Sequence, residues 1–116
     1  MIRIGLLGCG RIGRMHAANI AAHPSASLAA VFDVHAPSAA AVSESLGVPA
    51  VDSAAAIFED PSIDGVLVAT TTDTHADFIE QAVANNTFIL CEKPIDLSIA
   101  RVAQCAQTIK GREHLI

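Results

Sequence analysis

The chain has 116 residues, about the size of one domain, and that is long enough to bury a single core. Its formal net charge is −5 with only seven Lys and Arg, which are scattered, so a nucleic-acid or anionic-membrane surface is disfavoured and a small-molecule partner fits better. The apolar share is 52 % with no Trp or Tyr, so the core must be Ala, Val, Ile and Leu packed closely, as where helices lie tight on a sheet.

Taken in chain order, the first apolar run, Ile2 to Leu7, reads as a strand and is followed by Gly8, Gly10 and Gly13 at the spacing G-x-G-x-x-G. A helix over residues 11–23 follows, then a strand from Ser27 to Phe32. Pro37 in a first turn and Gly47 after a last turn bound a helix over 36–46. Pro49 to Asp52 reads as a short strand, 53–59 as a helix, and Gly65 to Ala69 as the next strand. Thr74 with Asp77 three residues on resembles a capping box opening a helix over 74–85. Thr87 to Cys91 is a further strand. A helix over 97–110 carries Ile99, Val102, Ala103, Ala106 and Ile109 on one face, which should lie on the sheet, and Gly111 ends it.

None of the main strand runs alternates apolar with polar, as expected for parallel strands covered on both faces. Strands alternating with helices give an α/β fold, a doubly wound parallel sheet of the Rossmann dinucleotide-binding type. One domain covers 1–116. His114, Leu115 and Ile116 read as the first residues of a sixth strand, so the chain is expected to be a fragment truncated there.

A lone G-x-G-x-x-G is a weak signal, and its context decides. The glycines must join a strand to a helix, and an acidic residue should end the next strand about twenty residues on. Both conditions hold, since Asp33 ends "LAAVFD" twenty residues after Gly13. Gly8 makes the turn, Gly10 lets the backbone approach a pyrophosphate, and Gly13 lets helix and strand pack closely. Arg11 and Ile12 open the helix, whose free N–H groups and dipole favour an anion. Asp33 would accept hydrogen bonds from the adenosine-ribose hydroxyls. Val34 and His35 follow it rather than an Arg, so NAD is preferred over NADP.

A second motif, "FILCEKPIDL" over residues 88–97, ends the last strand. Together with "GCGRIGRMHAANI" and "VLVATTTDTHADFI" in this order, it makes nearly the whole chain resemble the N-terminal domain of the glucose-fructose oxidoreductase / inositol dehydrogenase (Gfo/Idh/MocA) family, with bacterial inositol 2-dehydrogenases the nearest subgroup. Glu92-Lys93-Pro94 is the most specific part of the match. The resemblance implies a hydride transfer from a polyol or sugar hydroxyl carbon, myo-inositol first among them, to NAD. It implies that Lys93 is the catalytic lysine, touching substrate and nicotinamide ribose, and that Thr70, Thr71, Thr72 and Glu92 lie beside the nicotinamide half. The family commonly has Pro where Thr71 stands. His75 either lines the site or merely stands in the first helical turn, and His16 reads as a packing residue.

In the family a C-terminal domain supplies an Asp-x-x-x-His motif, whose His takes the hydroxyl proton, and that domain's sheet usually forms the subunit interface of a homo-oligomer. No Asp-x-x-x-His occurs in these 116 residues, so this chain alone should bind cofactor without turnover. Two other readings stay open: a standalone nucleotide-sensing Rossmann module, against which Lys93 argues, and a different sugar dehydrogenase of the same family.

Cys9, Cys91 and Cys105 form no C-x-x-C pair, so neither a disulfide nor a metal site is expected. Residues 15–32 lack charge but contain Asn19, His23 and Pro24 and make a poor membrane span. Arg11 breaks the N-terminal apolar run too early for a signal peptide, and a cytoplasmic location is expected.

Overall fold

In the computed structural model, which describes all 116 residues, four parallel strands form one sheet in the order β2-β1-β3-β4: β1 (Ile2–Leu7), β2 (Ala26–Phe32), β3 (Gly65–Val68) and β4 (Phe88–Cys91). The helices are α1 (Arg11–Ala22), α2 (Ala36–Leu46), α3 (Ala54–Phe58), α4 (His75–Ala84) and α5 (Ile99–Thr108). Adjacent residues of a strand point to opposite faces, so Leu6 and Leu7 enter different cores. Leu6, Leu28, Val31 and Leu67 pack with Ala17 and Ile20 of α1 and Ala39 and Val42 of α2. Leu7, Val66, Val68 and Ile89 pack with Ile57 and Phe58 of α3, Ala76, Ile79 and Ala82 of α4, and Cys105 of α5. This two-sided burial is why β1 and β3 read as unbroken apolar runs.

The expected boundaries hold where local chemistry sets them. Pro37 lies in the first turn of α2, and Gly47 closes that helix in the left-handed region at φ 66°. Ser53 caps α3 by accepting a hydrogen bond from the Ala56 N–H, and Ser98 caps α5 through the Arg101 N–H.

Five expectations are corrected. Residues 49–52 form no full strand: Ala50 makes a single parallel bridge to Val31, with the Pro49 carbonyl accepting from Val31 N–H and Val51 N–H donating back. The Thr74 capping box does not form. The Thr74 hydroxyl donates to the Thr71 carbonyl at 2.6 Å, and Asp77 turns outward to Arg101 at 2.7 Å. The apolar face of α5 does not lie on the sheet. The helix packs on α4 through Cys105, while Ile99 is 88 % exposed. β4 is covered on one face only, Phe88 and Leu90 being exposed at 58 % and 63 %. Finally, residues 113–115 form a short 3-10 turn rather than a strand, with Leu115 buried. No helix is long and apolar enough to cross a membrane.

Candidate functional site

The carboxyl ends of β1, β2, β3 and β4 are stitched together by backbone hydrogen bonds: Gly8 N–H to Phe32 (2.8 Å), Ala69 N–H to Leu7 (2.8 Å) and Glu92 N–H to Val68 (2.9 Å). This brings the glycine turn, Asp33, the threonine loop and the lysine segment to one edge of the sheet, where open α/β folds bind ligands.

At the turn, Gly8 has φ +97°, and a Cβ there would stand 2.4 Å from the Ala69 carbonyl oxygen. A Cβ at Gly13 would lie 1.8 Å from the Gly8 carbonyl oxygen, so α1 meets the strand at a distance only glycine permits. Gly10 is different: nothing lies within 4 Å of a Cβ built there. No side chain caps α1 at Gly10, and no acidic residue stands in its first turn. The first N–H groups, at Arg11, Ile12 and Gly13, have no partner within the helix. Open space beside uncapped N–H groups at the positive end of a helix dipole fits a pyrophosphate.

Asp33 is held from two sides. Its Oδ2 accepts the Cys9 N–H at 2.7 Å and its Oδ1 accepts the His35 N–H at 2.8 Å. Each oxygen keeps a further lone pair for a ribose hydroxyl. Val34 beside it is 93 % exposed, so no cation is set to neutralise a 2′-phosphate there. Burial and then the Asp33 charge push the Cys9 thiol up to about 11, so it stays protonated and acts as packing. Burial, with Glu92 next, raises Cys91 to about 12.

At the far end of the edge, Lys93 is exposed and its ammonium makes no ion pair; the three ion pairs of the chain join His16 to Glu92 and Arg101 to Asp77 and Glu80. Glu92 is engaged elsewhere. Its Oε1 meets His16 Nε2 at 2.6 Å and its Oε2 accepts the Lys93 N–H at 3.3 Å. The His16 hydrogen bond is the main cause of a Glu92 carboxyl held below its ordinary range, despite the opposing effect of desolvation. His16 is therefore not a packing residue: it bonds α1 to the lysine segment. The partners are 76 positions apart, and no local pattern in the sequence could pair them. His16, Leu67, Leu90, Cys91, Glu92 and Lys93 line a hollow of about 180 Å³ between α1 and β4. A larger, apolar concavity of about 700 Å³ lies toward the amino ends of β1, β3 and β4, away from the glycine turn, and offers few polar groups to orient a ligand.

In the threonine loop, the Thr70 hydroxyl donates to Thr74 Oγ1 at 2.6 Å, because the Thr74 hydrogen is committed to the Thr71 carbonyl. Thr71 and Thr72 are the residues whose hydroxyls remain uncommitted. His75 is corrected from a possible cofactor contact: it is 2 % exposed, and both ring nitrogens face backbone carbonyls behind the loop.

The comparisons with known proteins agree with this geometry. Residues 2–116 match the model of the GFO_IDH_MocA family, described as "Oxidoreductase family, NAD-binding Rossmann fold". The chain is 40 % identical over 113 residues to the inositol 2-dehydrogenase of Rhizobium meliloti, covering 93 % of this chain and 32 % of that protein. It is similar in structure to a myo-inositol dehydrogenase from Corynebacterium glutamicum, with a TM-score of 0.89 at 43 % identity over 94 % of this chain and 33 % of that one. The scyllo-inositol dehydrogenase of Lactobacillus casei, solved with NAD(H) and scyllo-inositol, gives a TM-score of 0.89 at 30 % identity, over 98 % of this chain and 34 % of that one. The chain thus spans about a third of the length of the relatives it matches. It belongs to the GFO/IDH/MocA oxidoreductase family, as an NAD-binding Rossmann domain.

Proposed function

We propose that this chain is the cofactor half of an NAD-dependent polyol dehydrogenase, with myo-inositol or a closely related cyclic polyol as the substrate. The observation that carries the reading is the unpaired ammonium of Lys93 on the same sheet edge as the uncapped α1 N-terminus and Asp33. A domain that only senses a nucleotide has no use for a free lysine beside the nicotinamide end. NAD supplies the hydride acceptor. The first-turn N–H groups at Arg11, Ile12 and Gly13 would hold its pyrophosphate, Asp33 its adenosine ribose, and Thr71 and Thr72 the nicotinamide side. Lys93 donates hydrogen bonds to the substrate hydroxyl and stabilises negative charge developing on that oxygen. The inositol dehydrogenases among the relatives support the substrate class, and we place the protein in the cytoplasm.

A general base is the missing function. His75 is buried with both nitrogens engaged, and His16 is bonded to Glu92. The chain alone therefore binds NADH, followed by the fluorescence of NADH itself, and shows no myo-inositol-dependent reduction of NAD. General-base assistance contributes about 10² to 10⁴ in rate, and loss of substrate positioning removes more. Ordinary turnover by the purified chain, stopped by Lys93→Ala, would put a base within these residues and overturn this division of labour.

A further inference from the structure

His75, the first residue of α4, is the chain's only buried polar or charged side chain, 2 % exposed. Its Nδ1 lies 2.7 Å from the carbonyl oxygen of Pro94, and its Nε2 lies 3.0 Å from the carbonyl oxygen of Thr70. Pro94 directly follows Lys93, and Thr70 opens the threonine loop. One ring therefore bridges the two segments that flank the nicotinamide end of the site. Carbonyl oxygens accept and cannot donate, so each of these bonds needs an N–H on the ring. A neutral imidazole carries only one such proton, and the doubly protonated ring carries two.

The charged groups nearby leave this ring to the carbonyls. No carboxylate pairs with it. On its own segment, Asp73 is exposed and Asp77 is paired to Arg101 of α5. From the end of β4, Glu92 is taken by His16, and Lys93 and Cys91 offer no acceptor charge. On α5, the Cys105 thiol meets the Ala76 carbonyl. Two carbonyl dipoles aimed at the ring are thus its only direct partners, and losing either bond would leave a buried carbonyl facing a bare nitrogen.

We propose that His75 is the positioning residue for Lys93: its ring, protonated on both nitrogens, bonds the Pro94 and Thr70 carbonyls together, so that the lysine segment and the threonine loop meet the nicotinamide as one unit. The part concerning Lys93 rests on the function proposed above. A ring with one proton would anchor only one segment and would serve as core filling.

The test uses the chain labelled with ¹⁵N-histidine. The His75 ring signals are identified by their loss in His75→Gln, and long-range ring spectra report which nitrogens carry protons under the conditions of the NADH titration. Protons on both nitrogens are expected; one protonated and one bare nitrogen overturns the proposal. In parallel, amide exchange is compared in the two segments. His75→Gln, which can donate to one carbonyl only, should speed exchange at Lys93 and Thr72 together and weaken NADH binding about tenfold, and His75→Phe, with no donor, about a hundredfold. Equal NADH affinity in all three proteins, or exchange that speeds in one segment only, refutes the coupling. If His75→Phe fails to fold, the ring spectrum of the unaltered chain and His75→Gln still decide. If the unaltered chain binds no NADH, the function proposed above fails, while ring protonation and coupled exchange still judge the strut.

Discussion

Gly10 and Gly13 stand three positions apart in one motif, yet their surroundings predict opposite failures. A Cβ at Gly13 would lie 1.8 Å from the Gly8 carbonyl oxygen, whereas a comfortable carbon–oxygen contact is about 3.3 Å or more. In Gly13→Ala, α1 must therefore retreat by about 1.5 Å or the turn must deform. Gly13, Ala17 and Ile20 are the buried residues of α1, so a retreat loosens that whole contact with the sheet. The helix-propensity gain of alanine, about 1 kcal/mol, is smaller than the strain and lost packing, about 3 kcal/mol. Gly13→Ala should be clearly destabilised, by about 2 kcal/mol net. Gly10 has open space around it and an ordinary extended conformation, φ −73° and ψ −162°. Gly10→Val should cost the fold only about 1 kcal/mol, as the loss of a favourable N-cap residue. Its side chain would occupy the space assigned to the pyrophosphate. Losing two hydrogen bonds to a charged phosphate, at about 1.5–3 kcal/mol each, weakens NADH by two or more orders of magnitude. Urea unfolding followed by circular dichroism measures the first effect, and NADH fluorescence titration the second. A Gly13→Ala as stable as the unaltered chain would mean that the helix contact is not as close as the geometry says. A well-folded Gly10→Val that binds NADH normally would remove the glycine turn from the cofactor site.

Asp33 predicts that NADP(H) binds at least about tenfold more weakly than NAD(H), from like-charge repulsion at the ribose, and that Asp33→Asn narrows the gap; equal affinities by calorimetry would count against it. Thr71 has φ −62°, the value proline fixes, and its N–H makes no hydrogen bond. Thr71→Pro should thus raise stability by about 0.4–1 kcal/mol and leave NADH binding intact, and a lowered melting temperature would show that the loop needs freedom there. Glu80 sits well below its ordinary value of 4.5, chiefly because the Arg101 guanidinium hydrogen-bonds it. The folded carboxyl thus holds its proton less readily than the unfolded one, so the stabilisation is present above the ordinary value and is lost as pH falls through the lowered one. Glu80→Gln should melt earlier than the unaltered chain at neutral pH, with the two curves converging in acid, and a constant difference at all pH values would refute the ion-pair origin.

What the sequence disclosed and what it withheld divide by the range of the interaction. Turn chemistry is local: Gly8 at positive φ, Pro37 in a first turn and Gly47 at a helix end each answer a constraint set within a few residues, and each was legible. The dinucleotide motif was legible for the same reason, since a strand, a turn, a helix and a strand-end acid follow one another within about thirty positions. The bonds that organise the site are long-range. His16 to Glu92 spans 76 positions and His75 to Pro94 spans 19, and neither histidine announces its partner. Competition explains the failed capping box: Thr74 and Asp77 had the right spacing, but the Thr71 carbonyl and the Arg101 guanidinium offered each a better partner.

The α5 helix shows what an apolar pattern encodes. Its residues Ile99, Val102, Ala103, Ala106 and Ile109 gave the clearest helical spacing in the chain, yet its contact with α4 runs through Cys105, and Ile99, Ala103 and Ala106 are exposed. Arg101 explains the orientation. Its guanidinium bonds Glu80 twice and Asp77 once across the helix pair, so the side of α5 that carries it is turned to α4. The apolar stripe is thereby rotated away from the sheet that periodicity alone would have placed beneath it. Phe88 and Leu90 of β4 show the same decoupling, because an unbroken apolar strand was read as covered on both faces and is covered on one. Periodicity reports which residues are suited to burial; only the partners in space decide which are buried. The glycine edge escapes this ambiguity because backbone clearance and hydrogen-bond donors, rather than apolar area, define it.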